Sequence, residues 1–141
     1  EYVNNETFCF TYGDGLANIS ITDLIEFHKK NNTIATVTAV QPPARFGALE
    51  LNENKVVCFK EKPTGDGNWI NGGYFVLEPD VFNYLECDST VWEKEPLQKL
   101  ANENQLSAYK NKNFWQPMDT LRDKNQLNEL WDSGKAPWKS W

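Results

Sequence analysis

Along this chain, short apolar runs alternate with longer segments in which the apolar residues have helical spacing. Residues 8–12 (Phe-Cys-Phe-Thr-Tyr) form an apolar run that predicts a buried strand. The run ends at Gly13-Asp14-Gly15, where two glycines around one carboxylate predict a tight turn or the close approach of a ligand. In open α/β sheets, ligands bind at the carboxyl ends of strands, so Asp14 is a candidate binding residue as well as a turn residue.

The segment after this turn has the periodicity of an amphipathic helix. Apolar residues recur on one helical face from Ile21 to His28, and Ser20 precedes them as the predicted N-cap residue. We interpret His28 as the solvent-exposed end of that face and not as a catalytic base. The β-branched residues of 33–40 predict a second strand, and this β-α-β order favours a right-handed parallel crossover.

The middle of the chain predicts antiparallel strands. Residues 45–51 and 55–63 flank a short polar turn, a pattern typical of a β-hairpin. Residues 69–77 predict a further strand that Gly72 and Gly73 interrupt. Two glycines inside a strand indicate a bulge, or the close approach of another backbone or a ligand.

The last third is predicted to be mostly helical, and a capping box of Thr120 and Asp123 opens its final helix. The predicted elements are helical segments at 79–85, 92–104 and 120–131, a short strand at 106–109 and an irregular segment at 114–119. The predicted fold class is therefore α/β, with a mostly parallel sheet flanked by helices and an antiparallel hairpin.

Composition restricts the possible functions of the chain. Its 141 residues, 40% hydrophobic and 13% aromatic, predict a single globular domain over residues 1–141. A net charge of −6 argues against binding to nucleic acid or to an anionic membrane surface. No apolar run approaches the roughly 20 residues that a membrane-spanning helix needs. Cys9, Cys58 and Cys87 are widely spaced, which fits reduced thiols in a cytoplasm better than a disulfide framework or a zinc site.

Five motifs follow one another in a characteristic order, at residues 12–15 (YGDG), 45–50 (RFGALE), 59–63 (FKEKP), 70–75 (INGGYF) and 114–120 (FWQPMDT). Together they resemble the sugar-phosphate nucleotidyltransferases over essentially the whole chain. The resemblance implies a Rossmann-like nucleotidyltransferase sheet. It also implies transfer of a nucleotidyl group to a sugar 1-phosphate with release of pyrophosphate. Residues 116–123 and 134–139 look like the branch of the family that uses CTP and glucose 1-phosphate.

The resemblance also implies roles for individual residues. Asp14 and Asp119 would be catalytic carboxylates that hold Mg²⁺, which prefers carboxylate, phosphate and water oxygens. Without the motif order, Asp119 at a helix start would be interpreted as an N-cap residue. Lys62 would be catalytic by meeting the sugar phosphate, and Glu61 would accept hydrogen bonds from sugar hydroxyls, although a lone Glu-Lys-Pro is more often a surface ion pair. The remaining substrate-binding residues would be Gly47, Asn71 and Gly72.

Parts of the family pattern are not in this sequence. The chain begins at Glu1 and its only methionine is Met118, so we expect further residues before Glu1 in the native protein. The glycine-rich loop that holds the triphosphate in this family, and the Pro-Lys-Pro-Met segment after it, are not found here. We therefore expect the chain to be the C-terminal part of a nucleotidyltransferase domain, with an incomplete CTP site and no activity alone. The missing strands would leave an exposed sheet edge, which favours a homo-oligomer.

Two other classes of function stay open at this point. A glycosyltransferase-like binder of nucleotide sugars also places an aspartate after a core strand. It is disfavoured because Gly15 and Leu16 follow Asp14, so that no Asp-x-Asp motif is formed. A non-catalytic nucleotide-sugar-binding or assembly module would keep the sugar pocket and lack turnover.

Overall fold

The computed structural model describes residues 3, 5–42, 48–60 and 69–139. These residues form an α/β fold with an antiparallel hairpin, so the predicted fold class is confirmed. In chain order the elements are β1 (Phe8–Thr11), β2 (Gly15–Ala17), α1 (Ile21–Asn31), β3 (Ala35–Val40), β4 (Ala48–Asn52), β5 (Lys55–Lys60), β6 (Ile70–Leu77), a 3-10 helix (Pro79–Tyr84), α2 (Glu95–Asn102), β7 (Leu106–Asn111), β8 (Trp115–Pro117) and α3 (Leu121–Asp132).

The main sheet has four strands in the order β1-β6-β3-β7. Strand β3 is parallel to β7, and β6 is antiparallel to both β1 and β3. Strands β1, β3 and β7 therefore run in one direction. Strand β6 lies between β1 and β3 and runs in the opposite direction. The β-α-β unit predicted from the sequence has its two strands parallel, but they are not neighbours because β6 separates them.

Strand β1 lies at the edge of this sheet, and the prediction of a buried strand there was wrong. Phe8 is half-buried, whereas Cys9, Phe10 and Thr11 are exposed. In the described sheet β1 has β6 as its neighbour on one side and no strand on the other. An apolar run without alternation is typical of a strand covered on both faces, and here that cover is incomplete. The exposed sheet edge expected from the sequence is present at β1.

The main hydrophobic core lies on the face of the sheet that the 3-10 helix and α2 cover. It comprises Ala35, Phe75, Leu77, Val81 and Leu100, each at most 4% exposed. Because a buried Phe or Leu typically contributes about 2–5 kcal/mol relative to Ala, this cluster supplies much of the stability that holds the strand ends in place. Aromatic rings extend it toward the edge strand, where the Phe75 ring lies 5.6 Å from that of Trp92.

Helix α1 packs on the opposite face, and its histidine is buried. His28 is 1% exposed, so the prediction that it forms the solvent-exposed end of the helix face was wrong. Its Nδ1 lies 2.8 Å from the Thr36 Oγ1 of β3, and its Nε2 lies 3.0 Å from Glu78 Oε1. Helical spacing placed His28 on the packed face, but the two partners that satisfy its ring nitrogens come from other elements and could not be read from that spacing.

The C-terminal third differs from the sequence prediction at one place. The capping box of Thr120 and Asp123 opens α3 as predicted. Residues 115–117, predicted to be irregular, instead form β8, which pairs with β2 in an antiparallel two-stranded sheet. The tail packs on its own domain, since the ring of Trp138 lies 5.5 Å from that of Phe114. All three cysteines are free thiols. In the described part of the chain, no helix has the length and apolar character to cross a membrane.

Candidate functional site

The pairing of β2 with β8 joins two motifs that are far apart in the sequence. Gly15 is paired with Pro117 at the end of this two-stranded sheet. One residue further on, the Met118 N–H donates to the carbonyl oxygen of Asp14 at 2.7 Å. Asp119 follows directly, and both Asp14 and Asp119 are exposed. The structure therefore brings the backbones of the two predicted metal-binding residues to one end of the same ladder.

Asp119 does not serve as the N-cap residue of α3. That position belongs to Thr120, whose hydroxyl accepts from the Asp123 N–H at 3.2 Å. Asp123 completes the capping box by accepting from the Thr120 N–H at 3.0 Å. The interpretation of Asp119 as an N-cap residue is therefore wrong, because Thr120 occupies that position. Asp119 lies just before a helix N-terminus, where the partial positive charge of the helix favours anions.

The two glycines of β6 form the bulge that the sequence predicted. The register between β3 and β6 shifts between Val37 and Ala39, opposite Gly72 and Gly73. A Cβ on Gly72 would lie 2.8 Å from Val40 Cγ1, closer than real Cβ contacts allow. Gly72 is therefore required by close packing against β3, whatever its role in binding.

Trp115 and Tyr74 fasten this bulge to the β2–β8 ladder. The Trp115 Nε1–H donates to the Gly72 carbonyl at 2.8 Å. The Tyr74 hydroxyl donates to the Gly15 carbonyl at 2.7 Å, and burial raises the pKa of this tyrosine. As a result the turn that carries Asp14 and the bulge at Gly72 are held together by two side-chain hydrogen bonds.

Asn71 lies at the exposed start of this bulge and is held by two hydrogen bonds. The Gly73 N–H donates to Asn71 Oδ1 at 2.8 Å, and Asn71 Nδ2 donates to the Tyr12 hydroxyl at 3.0 Å. Tyr12 is half-buried beside the Asp14 turn. Burial, followed by a hydrogen bond to the Glu93 carboxylate, raises the pKa of Tyr12 to about 12. Asp14 makes a smaller contribution in the same direction, which places its charge near the Tyr12 hydroxyl.

The other predicted site residues, Gly47, Glu61 and Lys62, lie outside the described residues. The hairpin between them is described: β4 begins at Ala48, β5 ends at Lys60, and these two residues are paired at the open end of the hairpin.

The described carboxylates offer a limited set of metal ligands. Among residues 3, 5–42, 48–60 and 69–139, no group of three or more His, Cys, Asp or Glu side chains is arranged to hold a metal ion. Mg²⁺ in nucleotide sites usually takes one or two carboxylates and completes its coordination with substrate phosphates and water. A pair of exposed aspartates at one end of a ladder is compatible with that donor set.

Comparison with known proteins identifies the family of this chain. A family model described as nucleotidyl transferase matches residues 1–135, which is nearly the whole chain. The chain belongs to the nucleotidyl transferase family. Its motifs are therefore those of an established family, and the sugar-phosphate nucleotidyltransferase resemblance drawn from their order is confirmed.

Curated relatives refine this assignment. The chain is 54% identical over its full length to the glucose-1-phosphate cytidylyltransferase of Salmonella typhimurium, of which it covers 55%. It is also 34% identical over 77% of its length to the mannose-1-phosphate guanyltransferase of Yarrowia lipolytica, of which it covers 32%. The chain thus spans about half the length, or less, of these relatives.

A solved structure supports the fold. HddC from Yersinia pseudotuberculosis, complexed with GMP-PN, superposes with a TM-score of 0.66 over 92% of this chain and 57% of that protein, at 18% identity. At this identity the likeness concerns the fold alone.

Sequence reasoning missed two residues that shape the site. Trp115 was placed in an irregular segment, and Tyr12 was interpreted as part of a buried strand. For Tyr12 the available signal was its position directly before Gly13-Asp14-Gly15.

Proposed function

We propose that this chain supplies the sugar-phosphate and metal side of a glucose-1-phosphate cytidylyltransferase, which forms CDP-glucose and pyrophosphate from CTP and glucose 1-phosphate. The observation that carries the proposal is the joining of the Asp14 turn to residues 117–119, with Gly72 and Asn71 fastened to the same turn. The 54% identity over the whole of this chain to a protein of that name supports CTP and glucose 1-phosphate as the proposed substrates.

The reaction needs positioning more than covalent work from the protein. An oxygen of the glucose 1-phosphate group attacks the α-phosphorus of CTP, and pyrophosphate leaves with the electrons of the bond that breaks. Two highly charged reactants must be held in line, and such positioning is worth about 7–11 kcal/mol in well-oriented reactions. Residues that fix the sugar phosphate therefore contribute to rate even though they form no covalent bond.

The carboxylates Asp14 and Asp119 are the proposed Mg²⁺ ligands. Both are exposed at the end of the β2–β8 ladder, and neither is the N-cap of α3. Mg²⁺ bound there would neutralise phosphate charge and favour the departure of pyrophosphate. Without the metal, the two carboxylates would repel a phosphate group.

The sugar is proposed to bind between the bulge and the hairpin. Asn71 and Gly72 would line one side, and Gly47, Glu61 and Lys62 would contribute from the residues that flank β4 and β5. Lys62 would contact the sugar phosphate, and Glu61 would accept hydrogen bonds from sugar hydroxyls. Asn71 is the described residue of this group with an exposed polar side chain.

The second candidate function is a non-catalytic module that binds a sugar phosphate or nucleotide sugar. The observation in its favour is that the exposed Asn71 amide, held by Gly73 and Tyr12, could bind such a ligand without any reaction. This module would use the same pocket and differ from the enzyme in lacking turnover.

Assembly and location follow as part of the proposal. The exposed edge at β1 favours association with a second copy or with additional chain, and we propose a homo-oligomer. Three free thiols and nucleotide substrates fit the cytoplasm.

The direct test is product analysis on this chain joined to the part of its Salmonella relative that it does not cover. With CTP, glucose 1-phosphate and Mg²⁺, we expect CDP-glucose and an equal amount of pyrophosphate, detected by chromatography and a coupled phosphate assay. UTP, GTP and dTTP are the matched controls for base choice and should give much less product. Binding of glucose 1-phosphate without turnover would favour the non-catalytic module, and neither binding nor turnover would contradict both functions.

A further inference from the structure

The Asn71 side chain has one orientation that its surroundings permit. The Gly73 N–H can only donate, so the atom that faces it at 2.8 Å must be the amide oxygen. The amide nitrogen therefore faces Tyr12, where it donates to the hydroxyl at 3.0 Å. These two contacts leave one N–H and one oxygen lone pair of an exposed amide for a ligand.

Tyr12 is a rigid partner for this amide. Its backbone N–H donates to the Gly73 carbonyl at 2.9 Å, so it contacts the bulge through backbone and side chain. Its ring lies 5.7 Å from that of Phe75 and 5.9 Å from that of Phe10. A Cβ on Gly73 would lie 2.9 Å from Tyr12 Cδ2, so the ring rests directly on the backbone of the bulge.

We propose that Tyr12 is a positioning residue that fixes the Asn71 amide so that it presents one N–H donor to a hydroxyl or phosphate oxygen of the sugar phosphate. This inference rests on the proposed function, because it takes glucose 1-phosphate as the ligand of Asn71.

Tyr12 acts through Asn71 and not by touching the reacting atoms. Without the Tyr12 hydroxyl, the amide would keep its bond to Gly73 and lose the contact that orients its nitrogen. The free N–H would then be less well aimed, and the ligand would lose the preorganised part of that hydrogen bond. Loss of one oriented hydrogen bond should weaken binding by about three- to tenfold.

The experiment measures the affinity of the 141-residue chain for glucose 1-phosphate by calorimetry. We expect Tyr12→Phe to weaken binding about three- to tenfold, because the amide nitrogen of Asn71 loses the hydroxyl that orients it. The matched control is Tyr84→Phe, since Tyr84 donates to Glu103 Oε2 at 2.6 Å beyond the other end of β6. That variant should bind as the wild type does.

A double-mutant cycle tests whether Tyr12 acts through Asn71. In an Asn71→Ala background, Tyr12→Phe should cause no further loss of affinity, because the amide that Tyr12 orients is absent. A full Tyr12→Phe effect in that background, or equal affinity of wild type and Tyr12→Phe for glucose 1-phosphate, would overturn the positioning role alone. No binding by the wild-type chain would contradict the sugar site itself and therefore the proposed function.

Discussion

The Met118 N–H donates to the Asp14 carbonyl at 2.7 Å and thereby continues the β2–β8 ladder by one pair. This bond fixes where the turn after β1 lies relative to the start of α3. Each segment contributes one exposed aspartate, Asp14 before the ladder and Asp119 after it. This junction brings the two aspartates, which are distant in the sequence, to one end of the β2–β8 ladder.

The first prediction concerns these two carboxylates. In the active enzyme that contains this chain, Asp14→Asn or Asp119→Asn should lower kcat/KM by about 10²–10³, because each removes a charged ligand from the Mg²⁺ site, a loss of roughly 3–4 kcal/mol of transition-state stabilisation. Asp132→Asn, on the exposed end of α3, is the control and should change kcat/KM less than twofold. If both site variants kept activity within a few-fold of the wild type at limiting Mg²⁺, the metal assignment would be wrong.

A second prediction separates packing from binding at the bulge. Gly72→Ala should lower the free energy of unfolding by about 1–3 kcal/mol, because its Cβ would meet Val40 Cγ1 and the Thr38 carbonyl at under 3 Å. Gly13→Ala is the matched control, since a Cβ there has no neighbour within 4 Å. Urea denaturation measures the free energy of unfolding of both variants. Equal values for Gly72→Ala and Gly13→Ala would show that β3 and β6 are less closely packed than described.

The buried histidine gives a third prediction. His28→Leu should lower the free energy of unfolding by about 1–3 kcal/mol, because it leaves the Thr36 hydroxyl buried without its partner. Thr36→Val should also destabilise, and the double variant should cost less than the sum of the two. A double-mutant cycle by urea denaturation measures this coupling. Strict additivity would mean that the hydrogen bond between the two side chains does not stabilise the fold.

The exposed edge gives a fourth prediction. Strand β1 (Phe-Cys-Phe-Thr) carries no charge, whereas the other edge strand, β7, carries Lys110, and charge on an edge discourages strand pairing. Sedimentation of the 141-residue chain should show self-association that Thr11→Lys reduces. Ala108→Lys on β7 is the control and should leave the association unchanged. A monomeric wild-type chain, or an effect of the β7 variant alone, would contradict association through β1.

How far the sequence predicts this fold depends on whether a signal is local. The capping box of Thr120 and Asp123 and the hairpin of β4 and β5 were predicted correctly because residues a few positions apart determine them. The glycine bulge was also predicted, since Gly72 and Gly73 have few other reasons to occur inside a strand. Each of these features can be read in a window of about ten residues.

The predictions that failed concern features that depend on residues distant in the sequence. Strand β8 is three residues long and forms because β2 pairs with it, so no periodicity reveals it. The burial of His28 depends on Thr36 and Glu78, and the exposure of β1 depends on which strands lie beside it. At the site, motif order identified Asp14 and Asn71, but the hydrogen bond through which Tyr12 orients Asn71 became visible only in the folded chain.

The most direct test of the central claim is pyrophosphate release by the purified 141-residue chain with CTP, glucose 1-phosphate and Mg²⁺. We expect no release above background, because the proposed site residues of this chain bind glucose 1-phosphate and Mg²⁺, and no glycine-rich loop that could hold the triphosphate occurs among its 141 residues. We expect release once the part of the Salmonella relative that this chain does not cover is added as a separate polypeptide. Sustained release by the chain alone would contradict the account, since the triphosphate would then be held by residues assigned here to the sugar side.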